Sequence, residues 1–203
     1  MNFRFLLLLG SLSAFGPMAI DFYLPSFPTL ALAFSTNVEH VQLTLSAYFI
    51  GLAGGQLLYG PQADRFGRRK PLLFGVLLFT VASVICSMAS SLEWLIAARF
   101  LQALGGCAGI VISRAVVRDL CDPLASAKAF SQLMLVMGVA PILAPAIGGM
   151  LLTQFGWQSI FICLALFGAL CGVAVALWLP ETLPQDAPRS ALPQAPSKYL
   201  EIL

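Results

Sequence analysis

Asp21 and Arg99 each interrupt a long apolar run, one an acid and the other a base. Ionisable groups held away from bulk water can move protons. Desolvation and a nearby cation act in opposite senses on a carboxylate's hold on its proton. A cavity that opens and closes alters both influences, so protonation and conformation become linked. Enzymatic chemistry has no comparable support, because no nucleophile stands beside a base and no His/Asp/Glu cluster is visible. The five cysteines, Cys86, Cys107, Cys121, Cys163 and Cys171, are scattered without metal-ligand or redox spacing. They read as small packing residues, and neither metal nor cofactor is expected.

The surroundings of Asp21 strengthen its candidacy. A lone carboxylate inside a membrane helix costs roughly 2.5–3.5 kcal/mol on insertion scales, so such a residue normally faces a cavity and a partner. Pro25 has no N–H for the carbonyl of Asp21; Pro28 does the same to Leu24 and Pro17 to Ser13. The helix carrying Asp21 is therefore expected to be bent, with carbonyls released beside an acid. Irregular backbone at membrane depth is tolerated where it lines a cavity. The alternative is an acid near a helix end that snorkels to the surface.

The elements that must carry these groups follow from composition. The 203 residues are 59% hydrophobic and 10% charged, with mean hydropathy +0.90, where a soluble domain carries about 25% charge. So much apolar surface cannot be hidden in a water-soluble fold of this size. Six stretches approach the roughly 20 apolar residues that cross a bilayer: about 5–29, 41–60, 71–90, 94–117, 129–152 and 159–180. The fold class is an all-α membrane protein, a six-helix bundle over 1–180, with a linker-like tail over 181–203 rich in Pro, Gln and Ala. Asp21 lies ~24 Å along the first span and Arg99 ~7–8 Å into the fourth, which puts the two at similar depth in antiparallel helices. Direct pairing and a shared polar cavity are both open.

Charge placement fixes an orientation. Arg4, the cluster Arg65, Arg68, Arg69 and Lys70, the pair Arg118 and Lys128, and Arg189 and Lys198 all fall on one side. The opposite loops, around 34–40, 90–93 and 153–158, contain no Lys or Arg. The positive-inside rule puts both termini in the cytoplasm of a multi-pass inner-membrane protein. Basic residues used this way do not argue for nucleic acid. Arg114, near the inner end of span 4, is expected to snorkel. No clear cleavage site follows Leu6 to Leu9, so the first span is expected to be retained.

Local signals mark several helix starts. Thr36-x-x-Glu39 and Ser90-x-x-Glu93 have capping-box form, and Asp122-Pro123 reads as a cap with a first-turn proline. Gly51, Gly54 and Gly55 are expected at close helix contacts.

The loop after span 2 holds more than topology requires. Gly60-Pro61-Gln62-Ala63-Asp64-Arg65-Phe66-Gly67-Arg68-Arg69-Lys70 includes an acid and two glycines that a merely basic loop would not need. It resembles the signature loop of the major facilitator superfamily, G-x-L-A-D-R-x-G-R-[RK]-[RK], departing at Gln62. The resemblance implies that Asp64 and Arg68 belong to a charge network that latches two halves together at the cytoplasmic face. Arg99-x-x-Gln102-x-x-Gly105-Gly106 is similar to the R-x-x-Q-G segment of drug/proton antiporters, where the arginine is tied to proton coupling. Pro141-x-x-x-Pro145-x-x-Gly148-Gly149 resembles the antiporter motif of the fifth helix, with Ala140 and Ala144 in place of glycines. With Leu179-Pro180-Glu181-Thr182-Leu183, the combination resembles the Bcr/CflA multidrug transporters over about residues 5–183.

That family has twelve helices in two bundles with substrate between them. The resemblance therefore implies an N-terminal half, with a 3+3 inverted repeat, whose cavity needs a second six-helix half. A truncated gene product is the expectation, a separately encoded half or a homodimer the alternatives. The expected partners are protons, a small amphipathic substrate and the bilayer, and the expected activity is drug/proton antiport. The rivals are uptake of a small metabolite and a membrane protein that does not transport.

Overall fold

The computed structural model describes residues 3–183. The tail from 184 onward, with Arg189 and Lys198, lies outside the described residues, as does the side chain of Arg4. The described chain runs α1 (Phe3–Ser13), α2 (Phe15–Asp21), a 3-10 turn (Leu24–Ser26), α3 (Phe27–Ala33), α4 (Val38–Phe66), α5 (Arg69–Ser87), α6 (Leu92–Leu120), α7 (Pro123–Phe155) and α8 (Gln158–Trp178). Helices α4 to α8 are each long and apolar enough to cross a membrane, and the bent α1–α3 segment is long and apolar enough for a sixth span when its two parts are taken together. Most spans extend beyond the apolar stretches that announce them: α4 runs six residues past Gly60 to take in the signature loop up to Phe66.

The first span is broken, for reasons written in its sequence. It bends by 43° between Ser13 and Phe15. Pro17 has no N–H for the Ser13 carbonyl, and the Ser13 hydroxyl donates back to the Leu9 carbonyl at 2.8 Å, a bond that favours bending. A second interruption follows Asp21. There the N–H of Tyr23 turns to Ile20 at 3.2 Å, and Pro25 opens the 3-10 turn.

Caps at two helix starts fall one residue later than the sequence signals suggest. Asn37, not Thr36, caps α4 by accepting the His40 N–H at 2.8 Å. Thr36 meets the His40 ring instead, at 3.3 Å. Ser91, not Ser90, caps α6 by accepting from Trp94 N–H at 3.2 Å. Both residues have the extended backbone an N-cap requires. Asp122 caps α7 through the Ala125 N–H at 2.7 Å, with Pro123 in the first turn.

Helix α6 is the axis of the bundle. In its most apolar stretch 67% of residues are buried, against 11% for α7. Close approach makes this possible: a Cβ on Gly105 would run into the Phe79 backbone N and the Gly75 carbonyl of α5. On the other side Gly51 and Gly55 of α4 lie against Phe100, Ala103 and Cys107 of α6. Gly54 is looser, with only Leu104 at van der Waals distance. Small residues let helices approach where lipid supplies no hydrophobic driving force. An arginine on the inner face of α6 is therefore enclosed on all sides.

Candidate functional site

Arg99 is fully buried. Its guanidinium carbon lies 4.6 Å from the Tyr23 ring centroid and 4.2 Å from that of Tyr48, with Phe161 at 5.9 Å. Aromatic faces attract a cation by about 0.5–2 kcal/mol each, most when water is excluded. Tyr23 is itself held, its hydroxyl 2.7 Å from Thr44 Oγ1, which donates to the Val41 carbonyl.

The hydrogen bonds of Arg99 are few and directed. Nη1 donates to the Ala19 carbonyl at 3.1 Å and to Gln102 Oε1 at 2.6 Å. The Ala19 carbonyl is available because its ordinary partner, the N–H of Tyr23, has turned to Ile20. The break in span 1 thus supplies the acceptor that a buried guanidinium needs. Nε and Nη2, which share one edge of the guanidinium, find no acceptor among the described residues.

Asp21 is placed differently. It ends α2, two residues beyond Ala19, and is only half-buried. No ion pair joins it to Arg99 in this structure: both ion pairs found among the described residues involve Arg68. Gln102 and Arg99 are in contact, whereas Asp21 lies two residues past the carbonyl that Arg99 uses.

The fifth-helix motif meets the first span one residue past Asp21. Gly148 lies against Phe22, where a Cβ would meet the backbone carbonyl. Pro141 and Pro145 sit within α7, half-buried, and nothing lies within 4 Å of a Cβ on Gly149.

A second polar cluster occupies the end of the bundle that carries the basic loop. Arg68 donates from Nη1 to Asp64 at 2.5 Å and from Nε to Asp119 at 2.9 Å. Burial works against the Arg68 charge, but these two carboxylates outweigh it and push its pKa up. Thr182 Oγ1 also reaches Asp119, at 3.4 Å. Glu181 closes the cluster: its carboxylate accepts the backbone N–H groups of Arg68 at 2.7 Å and Arg69 at 3.2 Å. Those are orphan donors at the start of α5, whose own N-cap residue contributes no side-chain bond. Burial pushes the Glu181 carboxyl up, yet the four backbone N–H groups it accepts more than offset this and hold it below 4.5. Arg69 donates to the Ala176 carbonyl at 2.5 Å, whereas Arg65 is exposed and stacks on Phe66 at 5.1 Å. Gly67 takes φ +90°, and a Cβ there would strike the Glu181 carboxylate. Gly60 has open space around it. Asp119 and Glu181 belong to this cluster although the sequence alone does not mark them as members, and the same holds for Tyr23, Tyr48 and Ser83 around Arg99.

The family model described as Major Facilitator Superfamily matches residues 7–203. The chain belongs to the major facilitator superfamily. Its relatives include an MFS-type transporter of Bacillus subtilis, YdgK, 47% identical over 88% of this chain and 45% of the relative. A bicyclomycin resistance protein homolog of Haemophilus influenzae is 38% identical over 89% of this chain and 46% of the relative. Multidrug resistance protein D of Escherichia coli is 38% identical over 94% and 48%. Among solved structures, the proton:xylose symporter XylE superposes with TM-score 0.77 at 16% identity, over 89% of this chain and 45% of that one. A bacterial homolog of the lysosomal transporter Spinster gives 0.77 at 18%, over 99% and 48%. These likenesses establish the fold. The chain spans about half the length of the relatives it matches. As a superfamily member it is a multi-pass membrane protein of a transport family rather than an enzyme, with the six-helix fold of one half and a resemblance to the Bcr/CflA multidrug group.

Proposed function

We propose that this chain supplies the proton-coupling half of an exporter of small amphipathic compounds, acting by drug/proton antiport. The observation that carries the reading is the buried guanidinium of Arg99 with two N–H groups on one edge and no acceptor for either among the described residues. A carboxylate fits such an edge with two parallel hydrogen bonds. Asp21, beside the broken segment, is the acid close in sequence to the carbonyl that Arg99 already holds. An ionised Asp21 is drawn toward that edge; a protonated Asp21 leaves it. The exchange links proton binding to the shape of the first span. The resistance names of several relatives support the substrate class.

A second six-helix half, from the same gene, a separate chain or a second copy, completes the substrate cavity. The basic end faces the cytoplasm with both termini, in an inner membrane, and the Asp64–Arg68–Asp119 cluster with Glu181 acts as the latch between halves. The test is drug-driven proton movement in proteoliposomes that contain both halves. Asp21→Asn should abolish the coupling while leaving the protein folded. Undiminished proton movement in Asp21→Asn would overturn the reading.

A further inference from the structure

Gln102 is the sole side chain that accepts from Arg99 among the described residues, and its amide could in principle face either way. Arginine has donors only, so the amide oxygen must turn toward it. The amide nitrogen then points away and donates to Ser83 Oγ on α5 at 2.7 Å. For Ser83 to accept, its own proton must go elsewhere, and it goes to the Phe79 carbonyl at 2.7 Å. The result is a one-way chain across two helices: Arg99 to Gln102, Gln102 to Ser83, Ser83 to Phe79. Ser83 and Gln102 are both fully buried, so no bulk water competes for these bonds.

We infer that Ser83 is a positioning residue for Arg99, acting through the Gln102 amide. Deleting its hydroxyl removes the acceptor that anchors the far end of the amide to α5. Gln102 is then released to rotate, and Arg99 loses the bond that fixes Nη1 in place. Ser83 thereby steadies the acceptor at Nη1, which leaves the Nε and Nη2 edge to be presented to an acid. The functional weight of this role rests on the reading of Arg99 given above; the geometric role does not.

The experiment uses the chain itself, labelled with 15N-arginine and placed in lipid nanodiscs. A pinned guanidinium gives two separate Nη resonances, and one rotating about its Cζ–Nε bond gives a merged signal. The resonances of Arg99 are identified by their loss in Arg99→Met. We expect a resolved pair in the unaltered chain, a merged signal in Ser83→Ala with the cooperative thermal transition kept at a lowered midpoint, since the buried Gln102 amide loses its acceptor, and a resolved pair again in Ser83→Thr. Ser83→Cys, with a similar shape and a weaker acceptor, gives the same merging should Ser83→Ala not fold. A pair that stays resolved in Ser83→Ala or Ser83→Cys overturns the inference. Merging in a protein pair whose drug-driven proton movement survives Arg99→Met upholds Ser83 as the positioning residue and overturns the coupling reading instead.

Discussion

Arg99 of α6 donates 3.1 Å to the backbone carbonyl of Ala19, at the point where the first span stops being a regular helix. The bond joins the most enclosed helix of the bundle to its most irregular one. A rewound span 1 would return that carbonyl to the N–H of Tyr23 and take an acceptor from a cation that has few. The break and the buried charge therefore depend on each other.

Stability and function should part company at Arg99. A buried ion with unmet donors is costly, and replacing buried charged groups by apolar residues of similar volume is often neutral or stabilising. Arg99→Met should keep the bundle folded, with a thermal midpoint equal to or above that of the unaltered chain. In the two-half transporter it should remove proton-coupled drug movement. A midpoint that drops by ten degrees or more would show that Arg99 is structural.

Much of this is legible in the sequence, and the remainder is hidden for identifiable reasons. The six spans follow from the demand that lipid places on every backbone polar group, and the bend in span 1 follows from Pro17 and Pro25. What meets Arg99 does not follow. Depth along two helices brings Asp21 and Arg99 level, but rotation about each helix axis decides contact, and it turns Ala19 rather than Asp21 toward the guanidinium. Nothing local marks Tyr23 or Tyr48 for a role; the fold alone stacks them on a cation. Asp119 and Glu181 are partners of Arg68 from 51 and 113 residues away. No local pattern announces such a pairing.

Glu181 should behave as a remote cap of α5. It satisfies N–H groups of Arg68 and Arg69 that the N-cap residue's own side chain does not serve. Losing a capping acceptor costs about 1 kcal/mol, so Glu181→Ala should lower the thermal midpoint by a few degrees. It should also speed amide hydrogen exchange in the first turn of α5 and leave the α6 core protected. Equal exchange in both proteins would rule out the cap.

The same contact has a pH dependence with a definite sign. Glu181 is held below its ordinary value of 4.5 by backbone N–H donors that outweigh its burial. A carboxyl whose folded pKa is depressed contributes stability that is full above the unfolded value and fades as pH falls through the folded one. Thermal midpoints of the unaltered chain and Glu181→Gln should differ by a constant amount at neutral pH. The difference should shrink below about pH 4.5, the ordinary carboxyl value, as protons displace the donors. All other carboxylates are common to both proteins and cancel. A gap that widens on acidification would contradict the assignment.

Gly67 carries two constraints at once, which makes it the most sensitive position in the loop. Its φ of +90° lies where side chains other than glycine's are strained, and such strain costs of order 1–3 kcal/mol. A methyl group would also occupy the space that lets the Glu181 carboxylate reach the two N–H groups. Gly67→Ala should therefore destabilise the bundle more than Glu181→Ala does, because it adds backbone strain to the loss of the cap. In the double variant Gly67→Ala/Glu181→Ala the steric conflict is gone and only strain and the missing cap remain. Its midpoint should fall less than the sum of the two single changes, as contacting residues fail to add. Strict additivity would mean that Gly67 and Glu181 act independently and that the glycine is there for its backbone alone.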